Sequence, residues 1–460
     1  MTIQLPINVK FILSKLHSKG YDAYVVGGCI RDSLLNKPIK DWDITTSATP
    51  EQTMKLFEGY NIIETGLHHG TVTVVLNGEP FEITTFRTDG NYSDGRHPDS
   101  VKFTNNLLED LQRRDFTINA MAYNRMASLE TITNKGLKSI TLGLIDPFGG
   151  QLDLKAGVIR CVGSPIERFT EDALRILRAL RFAGRYDFVI HPETASAIHQ
   201  LADTITKVSS ERITSELFSI MSNNNCVGIF RDYSDVLTAV VPELKPMIGF
   251  DQNNPWHLYD VWEHTLTALK FSPTDDLIVN FAILFHDMGK PHCCTLGDDG
   301  FNHFKGHGEI SADMTNTILR RLKFTNEHRE KIIELIKYHD VTFEESPKSI
   351  KRWLNKIGEE QLRRLLVLRR CDILAQSNKE RDSRLRKLSN IDNMLDDVLT
   401  NEECFSLSDL AVNGKDLILL GMKPGKELGA MLNEILELVM DSKLTNNKDE
   451  ILDFVKKRLA

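Results

Sequence analysis

The stretch AYVVGGCIRDSLLNKPIKDWDITT, Ala23 to Thr46, restricts the fold more than any other part of the chain. An apolar strand ends in Gly27-Gly28, a helical pattern follows, and a second predicted strand carries Asp41, Trp42 and Asp43. Further β-rich runs (GTVTVVLN, FEITTF) alternate with helical stretches up to about Tyr123, which predicts a mixed sheet covered by helices. After DPFGG, Asp146 to Gly150, the chain reads as helix almost throughout, with Leu174, Leu177 and Leu180 on one helical face. The expected class is therefore α+β, an N-terminal α/β head followed by all-α segments. At 460 residues the chain exceeds the roughly 250–300 that one core supports. Divisions are expected near residues 150, 222 and 375.

Composition excludes several classes. Hydrophobic residues at 41% and charged residues at 26% supply too much apolar material for a disordered chain. No run reaches the roughly 18 apolar residues of a membrane span, and Met1 to Gly20 lacks a cleavable apolar core, so no membrane partner and a cytoplasmic location are expected. Seven irregularly spaced cysteines form no disulfide framework or CxxC metal site and read as free thiols. The net charge of −8 argues against indiscriminate coating of nucleic acid. Lys351 to Lys387 nevertheless holds twelve basic against five acidic residues, a stretch that faces phosphates or is a solvated helix face.

The chemistry of the first segment follows from alternation along a strand. Asp41 and Asp43 are expected on one face, spaced to share divalent cations, with Trp42 turned to the core. Hard oxygen ligands suit Mg²⁺, and a glycine turn lets backbone N–H groups approach a triphosphate. Either feature alone is weak evidence; together they indicate phosphoryl chemistry. Glu82 in PFEITTF supplies a third carboxylate or is an exposed strand residue.

GGCIRD followed by DWD resembles the nucleotidyltransferase fold of the polymerase β superfamily. The branch is that of bacterial-type class II tRNA nucleotidyltransferases (CCA-adding enzymes) and poly(A) polymerases. RRDFTINAMAYN (Arg113 to Asn124) is similar to its ribose motif, ERFTEDALRILRALRFAGRYDF from Glu167 to its base-recognition helix, and ERITSEL (Glu211 to Leu217) to a motif bracing that helix. The resemblance implies a nucleotidyltransferase head (1–150) and a helical neck for base and RNA binding (151–222). A helical body (223–375) and a tail with possible tRNA contacts (376–460) would follow. It implies Asp41 and Asp43 as catalytic metal ligands and nucleotide contacts at Gly27, Gly28, Arg31, Arg114, Asp115, Asn119, Asp172, Arg175 and Arg178. Asp94 and Arg96 fall in a Gly-rich loop that, in the resembling enzymes, helps the pocket change from CTP to ATP; otherwise the loop is a linker. Arg363, Arg364, Arg369 and Arg370 are candidates for tRNA backbone contact.

Physical reasoning adds a rationale for Asp172 and Arg175. On one helix their i, i+3 spacing would put an acceptor beside a donor. Cytosine and adenine both present an amino donor beside a ring-nitrogen acceptor, whereas uracil and guanine reverse that order. A surface ion pair is the alternative reading. The expected substrates are CTP, ATP and the tRNA 3′ acceptor end; a poly(A) polymerase or a partial, A-adding or CC-adding enzyme is the runner-up.

WEHTL, LFHDMGKP, FKGHGEIS, IKYHD and RRCDILAQ place His264, His286, Asp287, His307, His339 and Asp372 in an order that resembles the HD metal-hydrolase fold. The resemblance implies His264, His286, Asp287 and Asp372 as ligands for a divalent transition metal or Mg²⁺. His307 and His339 would hold a second ion or bind phosphate. A phosphohydrolase side activity, or an HD hydrolase whose head merely binds nucleotides, is the further alternative. The sequence does not disclose the oligomeric state.

Overall fold

The computed structural model describes residues 3–64, 66–90, 101–124, 140–141, 143–273, 275–401 and 403–459. It divides into two compact units, Met1–Pro242 and Glu243–Ala460. Asp94 and Arg96 lie outside the described residues.

The first unit is built on an eight-stranded sheet. Its strands in chain order are β1 (Ala23–Val26), β2 (Asp43–Thr46), β3 (Asn61–Ile63), β4 (Thr71–Leu76), β5 (Glu79–Thr85), β8 (Ala122–Tyr123), β9 (Ile140–Thr141) and β10 (Leu144–Ile145), with β6 (Arg87–Asp89) and β7 (Val101–Phe103) forming a separate hairpin. The spatial order is β3-β4-β5-β2-β1-β8-β10-β9. The sheet is mixed: β1 runs antiparallel to β2 and β8, while β2 runs parallel to β5. All four residues of β1 are buried, as a central strand covered on both faces requires. On one side Tyr24, Val26, Phe86, Leu107, Leu111, Ala122 and Ile145 form a core cluster.

β2 begins only at Asp43, so the expected strand placement of Asp41 is corrected. Asp43 pairs with Val26, the last residue of β1, and the chain turns away at Gly27. Asp41 thus has no ladder partner on β1; it is exposed, and Trp42 is half-buried. Beyond the sheet, helix Leu174–Tyr186 buries Leu174, Leu177 and Leu180 and packs against helix Ser210–Met221. The ERITSEL segment therefore braces it, through Arg181–Glu216 at 2.9 Å and Arg212–Asp172 at 2.8 Å.

The second unit is helical apart from the short hairpin Thr295–Leu296 with Asn302–His303 among its described residues. Helices Val261–Lys270, Leu277–Phe285, His307–Arg321, Asn326–Tyr338 and Pro347–Ala375 pack together. The last of these is interrupted at Gly358, whose φ of 77° lies in the left-handed region. A C-terminal bundle closes on Leu417, Ile435, Ile451 and Val455. All seven cysteines are free, and no described helix is long and apolar enough to cross a membrane.

Candidate functional site

Strand register assembles the first site. Gly27, at φ 77°, ends β1 and opens helix Gly28–Leu34. A Cβ there would lie 3.2 Å from Arg114 Nη1 and 3.7 Å from Asp43 Oδ2, so the turn, the arginine and the carboxylate share one small space. Parallel pairing of Ile44 with Ile83 puts Glu82 beside Asp43. Burial pushes the Asp43 carboxyl up, Arg114 opposes this, and Asp41 adds repulsion. Burial and the charges of Asp43 and Asp41 likewise raise Glu82. Asp41 and Asp43 line one cleft beside the glycine turn and offer oxygen donors suited to a hard divalent cation, whereas Glu82 is not among the lining residues and the three carboxylates do not gather within 4.8 Å of one another.

The nucleotide candidates form a hydrogen-bonded chain across residues distant in sequence. Arg31 donates to Asp32 (2.9 Å) and to Asn119 Oδ1 (2.6 Å), and Asn119 donates to Asp115 (3.0 Å). Asp115 accepts twice from Arg178, at 2.7 and 2.9 Å. Burial would raise the Asp115 carboxyl, but Arg178 and Asn119 outweigh it and hold the group at about 2. The Arg31 guanidinium lies 5.0 Å from the ring centroids of both Phe182 and Tyr186, which fastens helix Gly28–Leu34 to helix Leu174–Tyr186.

Asp172 and Arg175 do not sit on one helix as expected. Asp172 is extended (φ −142°, ψ 102°) and ends helix Pro165–Glu171. Its Oδ1 accepts from Leu174 N at 3.0 Å, because a short carboxylate side chain satisfies the orphan amides of the next helix. Nor do they form a mutual ion pair: Asp172 holds Arg212 (2.8 Å), and Arg175 holds Glu171 (2.6 Å) and the carbonyls of Arg168 (3.1 Å) and Arg113 (3.2 Å). Both nevertheless line one cleft of about 610 Å³ together with Gly27, Gly28, Arg31, Asp41, Asp43, Arg114, Asp115, Asn119 and Arg178. Eight arginines face four aspartates there, a potential that attracts a polyanion. Arg113, Leu174, Arg181, Phe182, Arg185 and Arg212 also line the cleft beyond the sequence expectation; for Arg181, Phe182 and Arg185 the helical spacing from Arg178 is the available signal.

The second unit gathers the other predicted ligands. Donor atoms of His264, His286 and Asp287 lie within 4.8 Å of one another, and those of Asp287, His307 and His339 do likewise. Asp372 Oδ1 is 3.0 Å from His264 Nε2. His286, His307 and His339 each donate Nδ1–H to a backbone carbonyl, of Ile283 (2.7 Å), Phe304 (2.8 Å) and Ile336 (2.6 Å). That leaves three Nε2 atoms aimed inward, and those of His307 and His339 meet at 3.0 Å. Facing ring nitrogens at this distance need a proton or a cation between them. Burial, then the neighbouring histidines, pushes His339 down to about 3, while Asp287 and Asp372 are held low despite burial. Lys290, 2.7 Å from Asp287 Oδ2 and 2.8 Å from Gln252 Oε1, was missed, although its place three residues after Asp287 put it on the same turn.

The four arginines named for tRNA contact separate. Arg363 binds Glu359 (2.9 Å) and Asp396 (2.8 Å), and Arg364 binds Asp276 (2.9 Å). Arg369 donates to the His339 carbonyl (2.9 Å) and to that of Val341. Arg370 is the exposed one of the four. Internal pairs also engage Lys351 with Glu403 and Arg352 with Glu437, so much of this basic run is a structural charge lattice.

The chain is similar to known proteins along nearly its whole length. The Poly A polymerase head domain model matches residues 23–160, and a tRNA nucleotidyltransferase domain 2 model matches 307–455. A CCA-adding enzyme of Lactobacillus delbrueckii subsp. bulgaricus is 33% identical over 447 residues, covering 96% of each chain. The chain belongs to the CCA-adding enzyme family. A CCA-adding enzyme of Staphylococcus saprophyticus is 32% identical over the full length of both proteins. The crystal structure of the Bacillus stearothermophilus CCA-adding enzyme with CTP superposes with a TM-score of 0.67 at 28% identity, covering 98% of this chain and 96% of that one. A Thermotoga maritima CCA-adding enzyme, solved with tRNA, shares the fold at 22% identity and a TM-score of 0.59.

Proposed function

We propose that the cleft of the first unit adds C, C and A to the 3′ end of tRNA from CTP and ATP without a nucleic-acid template. The carrying observation is the single cleft in which Asp41 and Asp43 face Asp172 and Arg175. Full-length similarity to CCA-adding enzymes favours this reading over a poly(A) polymerase or a partial enzyme. The functional division follows the head, neck, body and tail expected above, with the cytoplasm as the site of action.

Asp41 and Asp43 would hold Mg²⁺, which when bound polarises the attacked α-phosphate and the 3′-hydroxyl. Arg114, beside Gly27, meets the triphosphate, and Asp115 with Asn119 meets the ribose. Asp172 accepts the amino group and Arg175 donates to the ring nitrogen of C or A. Because Arg212 and Glu171 already hold these two side chains, little ordering remains to be done when the base arrives. UTP and GTP would set an acceptor against the Asp172 carboxylate and a donor against the Arg175 guanidinium, the mismatch by which the pair would reject them. Given tRNA lacking its 3′ end, the enzyme should add CCA and stop with both nucleotides, and add only C residues with CTP alone. Long A tails would support the poly(A) polymerase reading instead.

A second reading concerns the histidine cluster. His264, His286, Asp287 and Asp372 suit a divalent transition metal, with His307 and His339 completing a neighbouring position around Asp287. A metal-dependent phosphohydrolase activity would reside there. Elemental analysis should find metal in the purified protein that is lost in Asp287→Ala. Absence of both metal and Mn²⁺-, Ni²⁺- or Co²⁺-dependent phosphodiester hydrolysis would overturn this second reading.

A further inference from the structure

Asp110 has no role in the reaction just described. It is nonetheless fully buried, at 0% exposure. Its Oδ1 accepts from Arg113 Nε (3.0 Å) and Nη2 (2.8 Å); its Oδ2 accepts from Arg114 Nη2 (3.3 Å) and stands 3.4 Å from Thr45 Oγ1. Thr45 belongs to β2, two residues beyond Asp43, so one carboxylate ties the arginine pair to the strand that bears the metal ligand.

Arg114 stands between two carboxylates, bonded to one and bordering the space of the other. Its Nη2 is held by Asp110, while its Nη1 and Asp43 Oδ2 border the same space beside Gly27. Arg114 already acts electrostatically on Asp43. Without Asp110 the guanidinium would be free to turn to Asp43, the cleft carboxylate that borders its Nη1, and would neutralise the group that a cation needs.

We propose that Asp110 is a positioning residue whose buried charge keeps Arg114 off Asp43, so that the cleft holds its metal ion and the triphosphate's arginine at the same time. This rests on the reading of Asp41 and Asp43 as metal ligands. Asp110 touches neither substrate nor metal; it acts through Arg114.

The test is Mn²⁺ binding to the nucleotide-free, full-length protein, followed by the EPR signal of free Mn²⁺. The component lost in Asp41→Ala is assigned to the cleft, which separates it from ions held by the histidine cluster. Asp110→Asn should weaken that component on the order of tenfold, and adding Arg114→Gln should restore it to within about threefold of the parent. A general folding defect would not be repaired by removing a second side chain. Parent-like Mn²⁺ affinity in Asp110→Asn, or a double variant as weak as the single one, would overturn the proposal. If Asp110→Asn does not fold, Asp110→Glu, which keeps the charge but displaces it, should show a smaller loss that Arg114→Gln again repairs; no repair overturns it equally. Should Asp41→Ala bind Mn²⁺ as the parent does, the metal-ligand reading of the cleft fails instead.

Discussion

At the scale of single residues, charge pairing decides most of what the cleft can do. Asp172 and Arg175 are each fixed by another partner, and on the proposed reading the loss of either removes half of the surface that selects the base. Asp172→Ala and Arg175→Ala should therefore incorporate UTP or GTP at a rate approaching that for CTP, measured by competition among the four nucleotides; unchanged discrimination would refute the side-chain template. Asp115 carries a separate consequence for stability. Its carboxyl is held at about 2 against an ordinary value near 4, so the stabilisation is complete above about pH 4 and is lost as pH falls through 2. The difference corresponds to about 2 kcal/mol. Asp115→Asn should thus melt well below the parent at pH 6, with the gap shrinking as both are acidified toward pH 2.

At the scale of elements, close backbone approach replaces side-chain chemistry. Gly289 lies where the segment after the His-Asp pair meets helix His307–Arg321, and a Cβ there would fall 2.4 Å from the His307 carbonyl oxygen and 3.0 Å from Ser311 N. Gly289→Ala must push that helix away, displacing His307 from Asp287; overpacking of this kind costs about 1–3 kcal/mol. The expected result is a lower melting temperature with reduced metal content, read by calorimetry and elemental analysis, while CCA addition persists. The same scale explains why Asp172 escaped the helical expectation. Local spacing suggested one helix through EDALR, but the Asp172 side chain caps Leu174 N and breaks it. Propensity and periodicity do not reveal which of two local hydrogen bonds an aspartate will choose.

At the scale of the molecule, the two candidate sites occupy separate compact units and offer different donors, oxygen in the first and mainly imidazole in the second. Asp41→Ala should abolish nucleotide incorporation, by at least about a thousandfold, while any hydrolase activity survives; Asp287→Ala should do the reverse. Paired assays on both variants check this, and joint loss in either would argue against independent sites. The strand and glycine turn at Ala23 to Gly28 and the short motifs that carry the histidine and aspartate cluster were legible in the chain, because each is expressed by neighbours a few positions apart, whereas the strand placement expected for Asp41 was not met. What only the tertiary structure decided is which distant groups meet. Arg31 reaches Asn119, Arg178 reaches Asp115 and Arg212 reaches Asp172, and Arg364 and Arg369 are drawn into internal contacts while Arg370 stays exposed. A residue's type and spacing limit the bonds it can make, but burial leaves each charge to the nearest partner, and that partner is set by how the strands and helices pack.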